Sequence, residues 1–302
     1  KKSWFLRIFF EWVHLFFWSR KHDIDLWISL HDITPIVKAR KQVVYCHNPM
    51  PFMNYDFDVI RNEPRLLFYR IFYGFIYRSF LKRNSLIIVQ QHWLKKEFER
   101  RYNAKNIVVA YPKHRRTFES ATMPLSTSKK HYVYPAVPRG FKNFDIICGA
   151  AKILQTEFGS LVKFVITIDG TENRYARRLL KEYGNLSNLI FSGFVDSEEM
   201  AELYREAKGL IFPSKLETWG LPISEAKTYD IPIFIASERY AHEAIGNYDK
   251  VSFFDPNDAR QLAEMILSHE LGELEFTANK QDFYKDVVAE NYDELIGIIS
   301  NI

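Results

Sequence analysis

The sequence has few of the features that are typical of disulfide-rich or membrane-spanning proteins. Its 302 residues include only two cysteines, Cys46 and Cys148. Both lie in apolar segments, which predicts buried thiols and a reducing compartment such as the cytoplasm. No uninterrupted apolar run reaches the roughly 18–20 residues that a membrane-spanning helix needs. With 47% hydrophobic residues, the chain is expected to fold into a packed globular protein.

The motifs of several enzyme classes are also missing. The sequence contains no Ser-His-Asp, zinc-ligand or Walker-type spacing. Two acidic triplets, 23–25 and 56–58, have the spacing of a metal-holding motif, as in metal-dependent glycosyltransferases of the GT-A fold. The first triplet begins a predicted strand, at the wrong end for a site, and the second lies well past a strand end. We therefore expect neither a metal ion nor a cofactor.

Charge is unevenly distributed along the chain. Residues 1–130 carry 24 basic and 10 acidic residues, a net charge of +14, whereas the remainder carries 17 and 27, a net charge of −10. This asymmetry indicates an anionic partner for the first half. Since the sequence contains no nucleic-acid-binding motif, an anionic membrane surface is the favoured partner and nucleic acid is not expected. The basic aromatic segment 65–83, RLLFYRIFYGFIYRSFLKR, is the candidate contact, although an ordinary helix with solvated charges fits equally well.

The first 21 residues, KKSWFLRIFFEWVHLFFWSRK, are crowded with aromatic side chains. Arg7, Glu11 and His14 recur at helical spacing and predict one polar face. The favoured interpretation is a helix that turns its apolar side to the core. A helix in contact with a membrane is the alternative.

Strands and helices alternate through both halves, which predicts parallel sheets covered by helices. The predicted strands cover 25–30, 42–46, 86–89, 107–110, 131–134, 162–168, 189–191, 209–212, 231–236 and 251–254. We predict one Rossmann-like domain over 1–125 and a second over 126–280, joined by the polar stretch 121–130. A last helix, predicted over 281–300 within a segment 281–302, is expected to cross back to the first domain.

The most informative stretch, 212–226, has the sequence FPSKLETWGLPISEA. An apolar strand precedes it, Pro222 suits the first turn of a helix, and the loop between them carries Glu217. A carboxylate accepts two hydrogen bonds at once, so Glu225 suits a ribose diol and Glu217 suits hexose hydroxyls. Free N–H groups near Gly220 and Leu221 favour a phosphate. The alternative is that Glu217 is a solvated loop acid and Glu225 a first-turn acid facing the helix dipole.

This stretch resembles the signature of retaining family 4 glycosyltransferases of the GT-B fold, and the likeness continues through IPIFIASERYAHEAIG and VSFFDPND. The resemblance implies an α/β protein of two Rossmann-like domains facing a cleft. It also implies transfer of a hexose from a nucleotide sugar, without metal and with retained configuration, to a saccharide or lipid-linked saccharide. Assembly of a surface polysaccharide, on the cytoplasmic face of a membrane, fits this activity.

The resemblance also implies which residues form the site. Lys142 matches a cation that faces the donor diphosphate, and Arg139 is close enough to replace the family's usual arginine. His47 matches a histidine that faces the donor sugar, so the expected catalytic residues are Glu217, Lys142 and His47. His31 ends the neighbouring strand and is better explained structurally. The remaining donor-site residues implied are Gly170, Phe194, Val195, Thr218, Trp219, Gly220, Leu221 and Glu225.

The first half resembles only the later part of a family 4 N-terminal domain. The usual opening strand, glycine-rich loop, helix and second strand have no counterpart before Trp4. We therefore expect a chain that starts inside the domain. This feature and the absent arginine favour one alternative function, a non-catalytic nucleotide-sugar-binding subunit of a glycosyltransferase assembly.

Overall fold

The computed structural model describes residues 3–54, 60, 63–112, 129–277, 279, 288–289 and 291–302. The chain divides into two compact units. The first comprises Lys1–Tyr55, Arg65–Lys113 and Phe283–Ile302, and the second comprises Asp56–Pro64 and His114–Asp282. The domain boundaries predicted from the sequence, at 125/126 and 280/281, fall outside the described residues, as does most of the predicted linker 121–130.

The strands of both units follow the predicted order. In the described part of the chain they are β1 (Leu26–Ser29), β2 (Lys41–Cys46), β3 (Leu86–Val89), β4 (Ile107–Ala110), β5 (His131–Tyr134), β6 (Lys163–Ile166), β7 (Leu189–Phe191), β8 (Ala207–Phe212), β9 (Ile233–Ala236), β10 (Val251–Phe254) and β11 (Val288–Ala289). The helices are α1 (Trp4–Phe9), α2 (Leu15–Ser19), α3 (Arg65–Arg78), α4 (His92–Tyr102), α5 (Phe144–Thr156), α6 (Arg174–Tyr183), α7 (Ser197–Glu206), α8 (Leu221–Thr228), α9 (Ala241–Ile245), α10 (Ala259–Glu270) and α11 (Tyr292–Ser300).

Both sheets are parallel, as the alternation of strands and helices predicts. The first unit has the strand order β1-β2-β3-β4-β11, and the second has β10-β9-β8-β5-β6-β7. β3 of the first sheet and β9 of the second are apolar along their whole length, and every residue of both is buried. A strand that is buried on both faces has no polar side to show water. Cys46 in β2 and Cys148 in α5 are buried, which confirms the prediction for the two cysteines.

The C-terminal segment belongs to the first unit. β11 pairs in parallel with β4, and Ile299 of α11 joins a core cluster that includes Val43 and Ile88. The prediction of one helix over 281–300 is wrong at its middle, because Val288 and Ala289 form a strand and the helix begins at Tyr292. Residues 281–287 lie outside the described part of the chain.

The first helix differs from its predicted orientation. α1 continues through a π-helical turn, Phe10–His14, into α2. Glu11 does not lie on a polar outer face. It is buried and bonds the His31 ring at 2.7 Å. α1 contains no buried residue, so the interpretation of a core-facing helix is wrong there and holds only for Leu15 and Ser19 of α2. Among the described residues, no helix is long and apolar enough to cross a bilayer.

Two isoleucines of α11 offer a matched test of the C-terminal packing. Ile299 is 8% exposed in the core cluster, whereas Ile296 is 60% exposed. We expect Ile299→Ala to lower the free energy of unfolding of the first unit by about 2–5 kcal/mol, because it leaves a cavity. Ile296→Ala should change it by less than about 0.5 kcal/mol. Urea unfolding measures both values, and equal losses would contradict this packing.

Candidate active site

Loops of the second unit leave its sheet side by side at one edge. β5 lies between β8 and β6, all three in parallel, and β7 follows beside β6. Loops that follow these strands therefore meet at the carboxyl edge of the sheet, where α/β proteins commonly bind ligands. Every donor-site residue that the sequence predicts in the second half follows one of these four strands.

Lys142 and Glu217 come from two different loops and form an ion pair. Lys142 ends a 3₁₀ turn, Gly140–Lys142, after β5, and Glu217 lies in the loop after β8. Both side chains are largely buried. The Tyr134 hydroxyl donates to the Lys142 carbonyl at 2.9 Å, and the Asn143 amide donates to the Pro213 carbonyl at 3.2 Å. The first bond fixes the loop after β5 to its own strand, and the second joins the two loops. The fold thus brings together two residues that the sequence names separately.

Arg139 and Gly140 converge on a carboxylate that sequence reasoning missed. The Arg139 guanidinium donates to Glu63 at 3.2 Å, and the Gly140 N–H donates to the other oxygen of the same carboxylate at 2.9 Å. Both contacts lie within the second unit. Nothing in the sequence around Glu63 singles it out, since its partners lie 76 and 77 residues away. The loop after β5 thus presents two donors to one anionic group.

The loop after β8 turns into α8 at Gly220. This residue has φ of +85°, a left-handed conformation that side chains disfavour. A Cβ atom at this position would lie 2.9 Å from Ile223 Cδ1 and 3.0 Å from Phe212 Cζ. The Trp219 indole donates to the Ser224 hydroxyl at 3.0 Å. Leu221 begins the helix and is half exposed, and Thr218 precedes this turn.

Glu225 lies in the second turn of α8, not in the first. The helix begins at Leu221, and its first turn contains no acidic residue. The prediction that Glu225 lies in the first helical turn is therefore wrong, and so is the alternative that it faces the helix dipole there. Instead, the carboxylate accepts a hydrogen bond from the buried Tyr204 hydroxyl at 2.8 Å. Burial, and then the nearby Glu225 charge, raise the pKa of Tyr204, so the phenol stays a donor that fixes this carboxylate.

Gly170, Phe194 and Val195 lie after β6 and β7. Gly170 has φ of +89°, and its N–H donates to the Glu172 carboxylate at 3.0 Å. A Cβ atom there would lie 2.8 Å from Leu180 Cδ2, so the turn itself requires glycine. Phe194 is 90% exposed, which leaves an aromatic face in water at this edge. Val195 beside it is half-buried.

In the first unit, His47 lies in the loop after β2, and its backbone is held by Asp32. The Asp32 carboxylate accepts the His47 N–H at 2.8 Å, the Asn48 N–H at 3.0 Å and the Tyr77 hydroxyl at 2.7 Å. The His47 ring nitrogen Nδ1 lies 3.6 Å from the same oxygen. Asp32 is buried and has φ of +69°, a conformation that costs about 1–3 kcal/mol and persists only where surroundings enforce it.

Asp32 was not predicted as a site residue, although its place directly after β1 was a signal. His31 beside it bonds the buried Glu11, which agrees with a structural role for this histidine. Burial, and then the Asp32 charge, raise the pKa of Tyr77. Tyr77 is therefore a permanent donor to the Asp32 carboxylate.

The acidic triplets do not assemble a metal site in the described residues. Asp23 and Asp25 are exposed and pair with Arg40 at 3.4 and 3.0 Å. The second triplet, 56–58, lies outside the described part of the chain. Within that part, no three His, Cys, Asp or Glu side chains are grouped closely enough to hold an ion.

Comparison with known proteins gives a consistent result. The family model of glycosyl transferases group 1 matches residues 116–283, more than half of the chain. O-antigen chain mannosyltransferase C of Escherichia coli is 22% identical over 270 residues, which are 81% of this chain and 69% of that protein.

Solved structures with low sequence identity share the fold. The crystal structure of TarM superposes with a TM-score of 0.62 at 14% identity, over 82% of this chain and 48% of TarM. Anabaena Alr3699/HepE in complex with UDP-glucose gives a TM-score of 0.55 at 15% identity, over 77% of this chain and 64% of that one. The chain thus spans about half of TarM and two thirds of the other two proteins.

Two glycines test the turn that leads into α8. Gly220→Ala is expected to lower the free energy of unfolding of the second unit by about 1–3 kcal/mol, because the left-handed backbone and the contacts with Phe212 both oppose a side chain. Gly272→Ala is the control. Its φ is +73° and nothing lies within 4 Å of a Cβ there, so it should lose only the backbone term of about 1 kcal/mol. Equal losses in denaturant unfolding would show that Phe212 does not constrain the turn.

Proposed function

Because the chain belongs to the family of glycosyl transferases group 1, we propose that it transfers a hexose from a nucleotide sugar to a saccharide or lipid-linked saccharide, with the anomeric configuration retained. The shared structures establish the GT-B fold, with two Rossmann-like units that each have a parallel sheet. Polysaccharide biosynthesis is the context, since a related protein of Escherichia coli is an O-antigen mannosyltransferase.

One observation carries this proposal: the loop after β5 offers two donors to an anion beside an ion pair. Arg139 and Gly140 hold the carboxylate of Glu63, and Lys142 contacts Glu217 on the next loop. Negative charge grows on the leaving diphosphate as its bond to the sugar breaks, and fixed positive groups stabilise that charge. In the proposed complex the diphosphate replaces Glu63 on Arg139 and Gly140, and Lys142 contacts the leaving oxygen.

The carboxylates are assigned to the two sugars of the donor. Glu217 accepts hydroxyl groups of the hexose, next to the cation that faces the phosphate. Glu225, fixed by the Tyr204 hydroxyl, accepts the two hydroxyls of the ribose. Gly170, Phe194 and Val195 line the nucleotide end of the same edge, and the exposed Phe194 ring offers a face to the base. Thr218, Trp219, Gly220 and Leu221 shape the loop between the two sugars.

The reaction we propose proceeds on one face of the sugar. The bond between the anomeric carbon and the phosphate oxygen breaks, and the acceptor oxygen bonds to the same face of that carbon. The acceptor proton passes to the leaving phosphate, so this route requires neither a metal ion nor a protein nucleophile. His47 keeps the contact with the donor sugar that the resemblance implies, and Asp32 holds its backbone.

The donor sugar proposed first is mannose, and the acceptor is a growing saccharide. O-antigen chain mannosyltransferase C is similar to this chain over 81% of its length, and its name states both the sugar and the product. The Alr3699/HepE structure contains UDP-glucose, which supports a nucleotide sugar as the donor class. The UDP, GDP and ADP forms of a hexose are therefore the donors to compare.

Loss of the Glu225 carboxylate should weaken nucleotide binding. UDP, GDP and ADP are screened by thermal shift, and the one that stabilises the protein is titrated by calorimetry. Glu225→Ala is expected to cost about 1.5–3 kcal/mol of binding free energy, the range for hydrogen bonds to a charged group. Tyr204→Phe keeps the carboxylate, so it should lose about 1 kcal/mol of stability. Its loss of nucleotide-binding free energy should be smaller than that of Glu225→Ala. Unchanged affinity in Glu225→Ala would refute the ribose assignment.

Loss of Lys142 should slow turnover more than it weakens donor binding. The ammonium acts on charge that grows during bond breaking, so Lys142→Ala is expected to lower kcat by about 10²–10³, or roughly 2.7–4 kcal/mol. Hydrolysis and transfer from UDP- and GDP-hexoses measure this change. Lys215→Ala is the control, because Lys215 lies on the loop after β8 but bonds the Asn257 side chain at 2.7 Å.

Two results would contradict the assignments in this second test. Wild-type turnover in Lys142→Ala would mean that the diphosphate binds another loop. Nucleotide binding by the wild-type protein without hydrolysis or transfer of any donor would favour the alternative function, a non-catalytic nucleotide-sugar-binding subunit.

A further inference from the structure

Three open clefts follow one another along the first unit, between the C-terminal ends of α3 and α4. Their volumes are about 530, 410 and 320 Å³. The largest cleft borders both others, because it shares Arg78, Arg101 and Tyr102 with the second and Leu81, Lys82 and Asn103 with the third. Together they form one continuous groove, which we name the basic groove.

The lining of the basic groove is strongly cationic. Its basic residues are Arg70, Arg78, Lys82, Arg100, Arg101 and Lys105, and no acidic residue is among the described residues that line it. Glu97 pairs with Arg100 at 2.8 Å and with Arg101 at 2.5 Å. In the part of the chain that the structure describes, Arg78, Lys82 and Lys105 have no carboxylate within 4 Å. The groove therefore attracts anions.

Large apolar side chains lie in the same groove. Ile71 and Phe75 line it beside Arg78 and Arg101, and they are 64% and 58% exposed. Phe68, one turn earlier, is also exposed, so the three follow one face of α3 at i, i+3 and i+7. Cations at a helix C-terminus are explained by the helix dipole. The helix dipole does not explain why large apolar side chains beside these cations are exposed to water.

The first helix extends this apolar surface. Trp4 packs edge-on against Phe72 at 5.3 Å and Tyr73 at 5.5 Å, which places α1 beside α3. From this position α1 exposes three further large apolar side chains, Phe5, Leu6 and Phe9. Apolar groups on one face of a helix, next to arginine and lysine, are typical of helices that lie in a membrane interface.

We propose that this surface of the first unit docks on an anionic phospholipid bilayer. The basic groove binds phosphate headgroups, and the side chains Phe68, Ile71 and Phe75 enter the boundary with the acyl chains. Nucleic-acid binding would explain exposed aromatic rings, because bases stack on them, but it would not explain exposed aliphatic side chains such as Ile71 and Leu6. The proposal does not depend on the reaction proposed above.

One end of the groove lies away from the candidate site residue of the first unit. Asn84 and Asn106, which line the smallest cleft, come just before β3 and β4, so this end lies toward the amino edge of the sheet. His47 follows β2 and therefore lies toward the carboxyl edge. The other end of the groove includes Pro51, which lies in the same connection after β2 as His47.

Vesicle flotation of the full chain tests this proposal. The probes are vesicles of phosphatidylcholine alone and of two parts phosphatidylcholine to one part phosphatidylglycerol. We expect binding to the anionic vesicles only, and weaker binding at high salt. The triple variant R78E/K82E/K105E should bind at least about a hundredfold more weakly, since each cation lost near an anionic surface costs about fivefold and each glutamate adds repulsion. The control K152E/R177E/K181E makes the same charge change on exposed residues of the second unit and should bind nearly as the wild type does.

A second variant isolates the apolar contribution. F68S/I71S/F75S changes largely exposed residues, although Phe68 stacks on Phe72 at 5.8 Å and Phe75 packs edge-on against Trp12 at 6.1 Å. Its melting temperature should therefore fall only slightly, and it should still unfold cooperatively, while binding to anionic vesicles falls at least tenfold. The stabilisation of the protein by UDP, GDP or ADP, measured by thermal shift, should be the same in both variants as in the wild type. A loss of vesicle binding can then be distinguished from a failure of the proposed reaction. Four results would overturn the proposal: equal binding to both vesicle types, equal losses in the groove and control variants, tight binding of duplex RNA in place of vesicles, or a change of oligomeric state in the apolar variant.

Discussion

Both sheets are parallel, and strands in each are buried along their whole length, which limits where charged groups can lie. β3 and β9 have no exposed residue, so a polar side chain within them would lose its water without a partner. Charged groups that could meet a ligand are therefore found in the loops at the ends of such strands rather than within them. Parallel strands bring the loops after β5 and β8 to one edge, which is why Lys142 meets Glu217.

Four carboxylates share one property, because each is held by a fixed donor. Glu217 pairs with Lys142, Glu63 accepts two donors of the loop after β5, Asp32 accepts three donors, and Glu225 accepts the Tyr204 hydroxyl. A partly buried charge is costly without such partners. The same partners fix each carboxylate in place, and preorganised polar groups need little rearrangement during a reaction. Glu63 is the exception in the proposed function, since the donor phosphate takes its position.

The two halves of the chain present different outer surfaces. The first half carries the positive charge, and its exposed aromatic residues gather on α1 and α3 rather than scattering. The second half is acidic overall, and its cations include the pair partner Lys142 and surface ion-pair residues such as Arg178 and Arg260. In the two proposals above, the first unit docks on a membrane and the second unit binds the sugar donor.

The linear pattern was sufficient to predict the first ten strands, the parallel class of both sheets and the family. Apolar runs such as 86–89, turn residues such as Gly220 and the spacing of Glu217 and Glu225 are local properties that such a pattern records. The partners of these residues became known only from the folded chain, because Glu63 meets Gly140 across 77 residues and Lys142 meets Glu217 across 75. The fold also showed that Glu225 lies in the second turn of α8, that Glu11 is buried and that Val288 and Ala289 form a strand. For Glu11 and for this strand, a contact with a distant segment outweighed the local preference, and no local pattern encodes which distant segment will be adjacent.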